Sequence, residues 1–180
     1  MISLELQTGV LNNVRKSDLQ RDFPEYDLIR QIERYAIRDF MQGCSHHMAH
    51  GNVLDFGAGK QPYRKFVAGN YVPFEKGDVF PEMLFDCIIC NQVLQFIEDV
   101  PALMRVFLKH MNTGGHLIIT GGTNWPEVEN DDIVRLTRQG MRKYLTEAGF
   151  KVLLCESRSE LVVYGHFKLS LGFNVLAQRI

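Results

Sequence analysis

Two glycines and two acidic residues stand at a spacing that could hold a ribose-bearing ligand. Asp55 lies in a short apolar run, and Gly57 and Gly59 follow it. Because glycine has no Cβ and adopts positive φ at little cost, the backbone there can approach a ligand closely. Glu75 lies twenty positions after Asp55, where a carboxylate can accept hydrogen bonds from both ribose hydroxyls. The spacing predicts a nucleoside site.

Pro62 separates this loop from a dinucleotide fingerprint. The fingerprint has a third glycine three residues after the second, at the position of Pro62. Proline adds a ring and removes an N–H where a helix N-terminus would face a pyrophosphate. We therefore expect a ligand without a pyrophosphate, and a nicotinamide-dependent oxidoreductase is the disfavoured alternative.

Helical and strand periodicities alternate around this loop. Their alternation predicts an α/β fold with a mainly parallel sheet and an antiparallel C-terminal strand. Thr137 is a predicted N-cap, and Gly114–Gly115 is predicted to separate a helix from the next strand. Helices are expected over 26–43, 100–110 and 138–148, and strands over 51–56, 71–75, 85–90, 116–120, 152–155 and 173–177.

Length, charge and cysteine use limit the class of protein. The 180 residues have a formal net charge of −1, which predicts one domain, 26–180, after an N-terminal arm, 1–25, and disfavours a nucleic-acid partner. No apolar run approaches the roughly 18 residues that a membrane helix needs, and no basic leader precedes an apolar stretch. We expect a cytoplasmic protein without disulfides.

Four segments resemble, in order, the motifs of class I S-adenosylmethionine-dependent methyltransferases. The similarity covers about residues 50–160, and the fold it implies is Rossmann-like. The loop GAGKQPY and the later DIVRLT are similar to a branch whose glycine loop ends in Pro-Tyr. The four segments are VLDFGAG (53–59), FDCIICNQVL (85–94), the stretch from Leu103 to Thr120, and GMRKYLTEAGF (140–150).

The resemblance implies S-adenosylmethionine as the cofactor. Its methionine part would lie over the glycine loop, its ribose on Glu75 and its adenine amino group beside Asp78, while the end of the fourth strand would face the reactive methyl group. The cofactor-binding residues that the resemblance implies are Asp55, Gly57, Ala58, Gly59, Glu75, Asp78, Asn91 and Gln92.

The chain departs from the family pattern in two places. Only nine residues separate Glu75 from Phe85, too few for the crossover of a dozen or more that a further parallel strand requires. The third strand is therefore predicted to be shortened or absent. Phe96 stands where the family often has histidine, so no catalytic base is assigned.

The resemblance implies methyl transfer by in-line displacement to a small molecule or biosynthetic intermediate. Phe96, Trp125 and Arg135 are candidate substrate contacts, although Trp125 could instead anchor its loop and Arg135 could pair with Asp131 or Asp132. The alternative function is a non-catalytic S-adenosylmethionine-binding domain that acts in an assembly. The sequence does not determine the acceptor or the oligomeric state.

Two clusters could suggest metal or redox chemistry. Cys87 and Cys90 form C-x-x-C, but on a strand they point to opposite faces, so we interpret them as small buried hydrophobes. His46 and His50 share a helical face without a supporting carboxylate motif. A solvated helix end is the preferred interpretation, and no metal site is predicted.

Overall fold

A computed structural model describes residues 5–6, 28–124, 132–163 and 167–180, which form one seven-stranded sheet. Strands β2 to β5 are mutually parallel, and β7 runs antiparallel between β5 and β6. The predicted α/β class and antiparallel C-terminal strand are confirmed. The strands are β1 (Glu5–Leu6), β2 (Asn52–Phe56), β3 (Asn70–Phe74), β4 (Phe85–Asn91), β5 (Met111–Gly122), β6 (Phe150–Val163) and β7 (Phe167–Arg179), in the order β1-β6-β7-β5-β4-β2-β3.

The described residues include three α-helices: α1 (Leu28–Gly43), α2 (Val100–Lys109) and α3 (Arg138–Ala148). The predicted N-cap of α3 is confirmed, because Thr137 Oγ1 accepts a hydrogen bond from Gly140 N at 3.0 Å, and Gly149 ends the helix at φ +103°. None of the described helices combines the length and the apolar character needed to cross a membrane.

Helices cover both faces of the sheet. On one face, α2 and α3 pack over Leu54, Ile88 and Leu117. On the other face, α1 packs over Val53, Cys87 and Ile118. Alternation along each buried strand divides these residues between the faces.

The two cysteines of β4 follow this alternation. Cys87 lies in the core beneath α1, whereas Cys90 lies in the core beneath α2 and α3. All four cysteines are buried and free. The prediction that Cys87 and Cys90 point to opposite faces is confirmed.

Two connections near β3 are simpler than in a regular α/β fold. Residues 57–69 contain only a 3₁₀ turn, Arg64–Phe66, between β2 and β3. Residues 75–84 contain neither helix nor strand, and β3 is the outermost strand on its side of the sheet. Along the chain, no strand lies between β3 and β4, in agreement with the short spacing between Glu75 and Phe85.

Strand β5 begins earlier than predicted. Gly114 and Gly115 do not separate a helix from a strand but lie inside β5, whose pairing with β4 starts at Met111. Phe85 pairs with Met111 and Cys87 with His116, so β5 bulges between these pairs. The glycines occupy this bulge, which local periodicity cannot reveal.

The last two strands are also longer than predicted. β6 and β7 form a hairpin over 150–163 and 167–179, whereas the sequence indicated only 152–155 and 173–177. Backbone pairing between the two strands continues through these extensions, from Glu156↔Asn174 to Val163↔Phe167. The predicted arm, 1–25, falls mainly outside the described residues, and Glu5–Leu6 pairs with β6.

Candidate active site

The carboxyl ends of β2, β3, β4 and β5 lie at one edge of the sheet, called here the carboxyl edge. In open parallel sheets, ligands bind outside this edge. The structure brings the predicted cofactor residues together there, because they end β2, β3 and β4 or begin the loops that follow. Trp125, a candidate substrate contact, lies outside the described residues.

The glycine loop is held against β3 and open at its tip. Gly57 N donates to Phe74 O at 2.8 Å, and with Gly57 at φ +74° an added Cβ would lie 2.4 Å from Val93 Cγ2. Gly59 has φ +52°, and a Cβ there would meet nothing within 4 Å. The loop therefore needs glycine at both positions for conformation, and only Gly57 also needs it for packing.

Glu75 lies across from this tip. Its Oε1 accepts a hydrogen bond from Gly59 N, and its carboxylate is exposed. Asp78 closes the turn, because its Oδ2 accepts from Glu75 N at 2.8 Å and its amide donates to Glu75 O at 3.1 Å. The turn thus holds Glu75 against the glycine loop, and the Asp78 carboxylate caps it.

Asp55 is the buried acid of the site. Its side chain is on the α1 face, 2% exposed, and its Oδ2 accepts from Tyr71 Oη at 2.7 Å. The pKa of Asp55 is raised to about 6, mainly because burial disfavours the charged form; the Tyr71 hydrogen bond acts to lower the pKa and the charge of Glu75 acts to raise it. The carboxyl group therefore changes charge near pH 6.

Asn91 and Gln92 are both tied to Thr120 on β5. Asn91 Oδ1 accepts from Thr120 Oγ1 at 3.1 Å, and its Nδ2 contacts Met41 Sδ at 3.2 Å. Gln92 has φ +57°, and its Nε2 donates to the same Thr120 oxygen at 3.2 Å. These bonds fix two amide side chains at the end of β4.

The candidate substrate residues differ in their surroundings. Phe96 ends a 3₁₀ turn, Leu94–Phe96, and is 37% exposed. Arg135 forms an ion pair with Asp132, which is one of the two alternatives that the sequence allowed. Whether either residue contacts a substrate stays a prediction.

Sequence reasoning missed a buried ion pair at the same edge. Arg158 of β6 donates from Nε and Nη2 to Glu33 Oε2 of α1, at 3.0 and 2.6 Å. Both side chains are buried. Glu33 interrupts the apolar stripe of α1 beside Ile32, and an acid on a predicted buried face was the signal that could have identified it.

The glycine loop and Glu75 fit a nucleoside with an amino-acid tail. The open tip at Gly59 leaves space beside the backbone, and the exposed Glu75 carboxylate can accept from two ribose hydroxyls. No α-helix begins after the loop to direct its amides at a phosphate. The residues present therefore suit S-adenosylmethionine better than a dinucleotide.

Comparisons with known proteins agree with this geometry. A family model described as a methyltransferase domain matches residues 26–154. Phosphoethanolamine N-methyltransferase 3 of Arabidopsis thaliana is 28% identical over 102 residues, covering 49% of this chain and 21% of that protein. The chain thus matches about a fifth of the length of this relative.

Two solved structures share the fold. An S-adenosylmethionine-dependent methyltransferase from Mesorhizobium loti superposes with a TM-score of 0.60 at 13% identity, over 82% of this chain and 100% of that one. Magnesium protoporphyrin IX methyltransferase from Synechocystis PCC 6803, solved with bound S-adenosylhomocysteine, gives 0.60 at 12% identity, over 94% and 97%. The match to more than half of the chain establishes the family, and S-adenosylmethionine is its cofactor: the chain belongs to the S-adenosylmethionine-dependent methyltransferase domains.

Proposed function

We propose that the protein transfers the methyl group of S-adenosylmethionine to a small molecule or biosynthetic intermediate by in-line displacement. The observation that carries the proposal is the contact between the glycine loop and the acidic turn, in which Glu75 Oε1 accepts from Gly59 N. This contact brings a ribose acceptor and an open backbone loop together at the carboxyl edge.

The proposed cofactor contacts follow from this geometry. Glu75 accepts from the ribose hydroxyls, and the backbone from Gly57 through Ala58 to Gly59 supports the methionine part. Asp55 supports the loop from below through its buried carboxyl group. These roles are supported by the open space at Gly59 and the exposure of Glu75.

Three further residues complete the proposed cofactor set. Asp78 lies beside the adenine amino group, at the end of the turn that positions Glu75. Asn91 and Gln92 lie nearest the transferable methyl group, at the end of β4. The placement of Asn91 and Gln92 is supported by their hydrogen bonds to Thr120, which hold both side-chain amides at the carboxyl edge.

The branch with a Pro-Tyr loop is also part of the proposal. Pro62 is exposed and Tyr63 is 6% exposed within the core beneath α1. The pair ends the glycine loop by sending one ring outwards and one inwards. This arrangement supports a loop that is anchored by packing rather than by a following helix.

The sulfonium supplies an activated methyl group, so the protein has mainly to position the acceptor and exclude water. Proximity and orientation supply on the order of several kcal/mol of such a barrier. A general base is needed only if the nucleophile arrives protonated. With Phe96 at the place of the family histidine, we propose that positioning at the carboxyl edge is the main contribution.

The acceptor is proposed to be a small molecule. The formal net charge of −1 offers no general attraction for nucleic acid, and the relative from Arabidopsis is named for a small acceptor, phosphoethanolamine. The oligomeric state stays open, and the cytoplasmic location stays a prediction.

Calorimetric titration with S-adenosylhomocysteine tests the proposed cofactor site. Glu75→Gln should weaken binding about tenfold to a hundredfold, because a hydrogen bond to a charged group contributes about 1.5–3 kcal/mol. Glu82→Gln, an exposed acid in the neighbouring connection, is the matched control and should bind like the wild type. Equal affinities of the two variants would contradict the assignment of Glu75.

A non-catalytic cofactor-binding domain is the second candidate. The observation that favours it is the 75–84 connection, which has no regular structure and exposes 90% of Val79. Assays for S-adenosylhomocysteine release with panels of small acceptors separate the two functions. Tight cofactor binding with no turnover on any acceptor would favour the second candidate, and the absence of cofactor binding would reject both.

A further inference from the structure

Buried polar side chains of the described chain gather at the carboxyl edge. Three lie near the carboxyl ends of β2, β4 and β5, and three lie within β6 and β7 where these strands run beside the end of β5. The other two lie in the first half of α1, which packs over the same edge. Apolar side chains form the remaining buried surface that the structure describes. The eight are Gln31, Glu33, Asp55, Asn91, Thr120, Arg158, Ser159 and Asn174.

Three buried side-chain oxygens in this region have no hydrogen-bond partner within the described residues. They are Glu33 Oε1, Gln95 Oε1 and Ser159 Oγ. Glu33 and Ser159 are each 6% exposed. Burying a polar atom without a hydrogen-bond partner is unfavourable, and the two oxygens of Glu33 and Gln95 can only accept. Ser159 Oγ can donate as well as accept, whereas Glu33 Oε1 and Gln95 Oε1 each need a donor.

The geometry of the ion pair explains why one Glu33 oxygen is left over. Nε and Nη2 of Arg158 both donate to Oε2, rather than one to each oxygen. The remaining donors go to Phe173 O at 2.9 Å, Asn174 Oδ1 at 3.1 Å and Gly121 O at 3.3 Å. All five N–H groups of the guanidinium are thus used, and Oε1 can be satisfied only by another donor.

Glu33 lies between the two halves of the site. Arg34, the next residue of α1, hydrogen-bonds to Tyr63 at the end of the glycine loop. On the other side, the Arg158 that binds Glu33 also binds Asn174, which pairs in register with Thr120. One turn of α1 therefore spans from the cofactor loop to the strand ends that hold Asn91 and Gln92.

We propose that Glu33 is a substrate-binding residue whose Oε1 accepts a hydrogen bond from the methyl acceptor, so that the acceptor carries an N–H or O–H group at that point. The proposal rests on the proposed methyl transfer and extends it to the class of acceptor. Arg158 has a positioning role, because it holds the Glu33 carboxylate in one orientation. An acceptor without polar hydrogens leaves Oε1 buried and unpaired, which disfavours it.

A matched-pair fragment panel tests the proposal on the full chain saturated with S-adenosylhomocysteine. Each pair contains a primary amine or an alcohol and its counterpart without polar hydrogens, a trimethylammonium compound or a methyl ether. Ligand-observed NMR should show that the wild type binds the donor members at least fivefold more tightly. Glu33→Gln should reduce this preference to below twofold, with cofactor affinity unchanged within twofold.

Controls separate the substrate contact from a general loss of structure. Asp39→Asn changes an exposed acid of the same helix and should retain the preference. If Glu33→Gln does not fold, Glu33→Asp keeps the charge that balances Arg158, shortens the side chain by one methylene and should still lose the preference.

The outcomes are decisive. Retention of the preference in a folded Glu33 variant would overturn the proposal, as would a wild type that binds no donor-bearing fragment or both members of each pair equally. The proposed methyl transfer would survive all three outcomes, provided that the chain still binds S-adenosylhomocysteine. Loss of cofactor binding in the wild type would instead reject the proposed function itself.

Discussion

The two edges of the sheet, at the amino and carboxyl ends of its parallel strands, differ in how completely their carboxylates are hydrogen-bonded. At the edge formed by the amino ends of β2, β4 and β5, Asp86 accepts from Asn52 N and from Asn112 Nδ2, each at 2.8 Å, so both carboxylate oxygens are bonded. At the carboxyl edge, Glu33 and Arg158 are buried, and one oxygen of the Glu33 carboxylate has no hydrogen-bond partner in the part of the chain that the structure describes. A folded chain satisfies its own polar groups where they serve only structure.

Titratable groups show the same contrast. Asp55 is buried at the carboxyl edge and its pKa is raised to about 6. At the opposite edge, the rings of His46, His47 and His116 form a tilted stack: the centroids of His46 and His47 are 3.8 Å apart at an interplanar angle of 43°, and those of His47 and His116 are 4.0 Å apart at 32°. Burial, His116 and His46 together lower the pKa of His47 to about 4. A raised acid pKa at one edge and a lowered histidine pKa at the other give the two edges opposite effects of pH on stability.

Removal of the buried cation should have the largest effect. Arg158→Met leaves the Glu33 carboxylate buried without its partner and leaves three backbone and side-chain acceptors unbonded, so the free energy of unfolding should fall by about 3–5 kcal/mol. Urea denaturation of the wild type and of Arg158→Met measures this difference in the free energy of unfolding. Arg105→Met, an exposed arginine of α2, should change stability by less than about 0.5 kcal/mol. Similar losses in both variants would remove the distinction between the buried pair and the surface.

Substitution of the glycine loop should have the next largest effect. Gly57→Ala puts a Cβ 2.4 Å from Val93 Cγ2 at a residue with positive φ. The free energy of unfolding should fall by about 1–3 kcal/mol, and the affinity for the cofactor should also fall. Gly59→Ala meets only open space in the chain and should cost less stability, while it too weakens the cofactor. Thermal unfolding and calorimetry check both; a greater loss of stability in Gly59→Ala would contradict the packing of the loop.

The pH dependence of stability should change when Asp55 is replaced. Because its pKa is raised from 3.8 to about 6, the folded state binds more protons between these values, and the carboxyl contributes stability that is lost as pH rises from about 4 to 6. The loss should be at most about 2 kcal/mol. Denaturation of Asp55→Asn across this range should lack that decline. A variant with the wild-type slope would show that Asp55 does not titrate there.

The histidine stack should give a smaller effect of opposite sign. The pKa of His47 is lowered from 6.5 to about 4, so the unfolded state binds more protons, and stability rises with pH across this window. The ring is partly exposed, so solvent screening makes the effect weaker than that of Asp55. Melting temperatures of His47→Asn should rise less steeply from pH 4 to 6.5, and a steeper rise would contradict the stack.

Much of the scaffold was predictable because its signals are local. The apolar runs predicted β2 and β4 within one or two residues, and capping chemistry predicted both ends of α3, at Thr137 and Gly149. The short spacing between Glu75 and Phe85 predicted that no further strand lies between β3 and β4 along the chain. Spacing along the chain also selected Glu75, which lies across from the glycine loop in the structure.

The bulge in β5 and the buried ion pair depend on tertiary structure and could not be predicted from local sequence. Gly114 and Gly115 lie in a bulge because β5 pairs with β4 from Met111 onwards, and pairing with a distant strand leaves no local pattern. Glu33 and Arg158 are 125 positions apart and meet only when α1 covers β6. Local sequence patterns were therefore sufficient for β2, β4, α3 and the glycine loop, since these features depend on neighbouring residues. The acceptor side that we propose depends on tertiary structure, because only the fold buries Glu33 with Arg158 and leaves Glu33 Oε1 without a hydrogen-bond partner among the described residues.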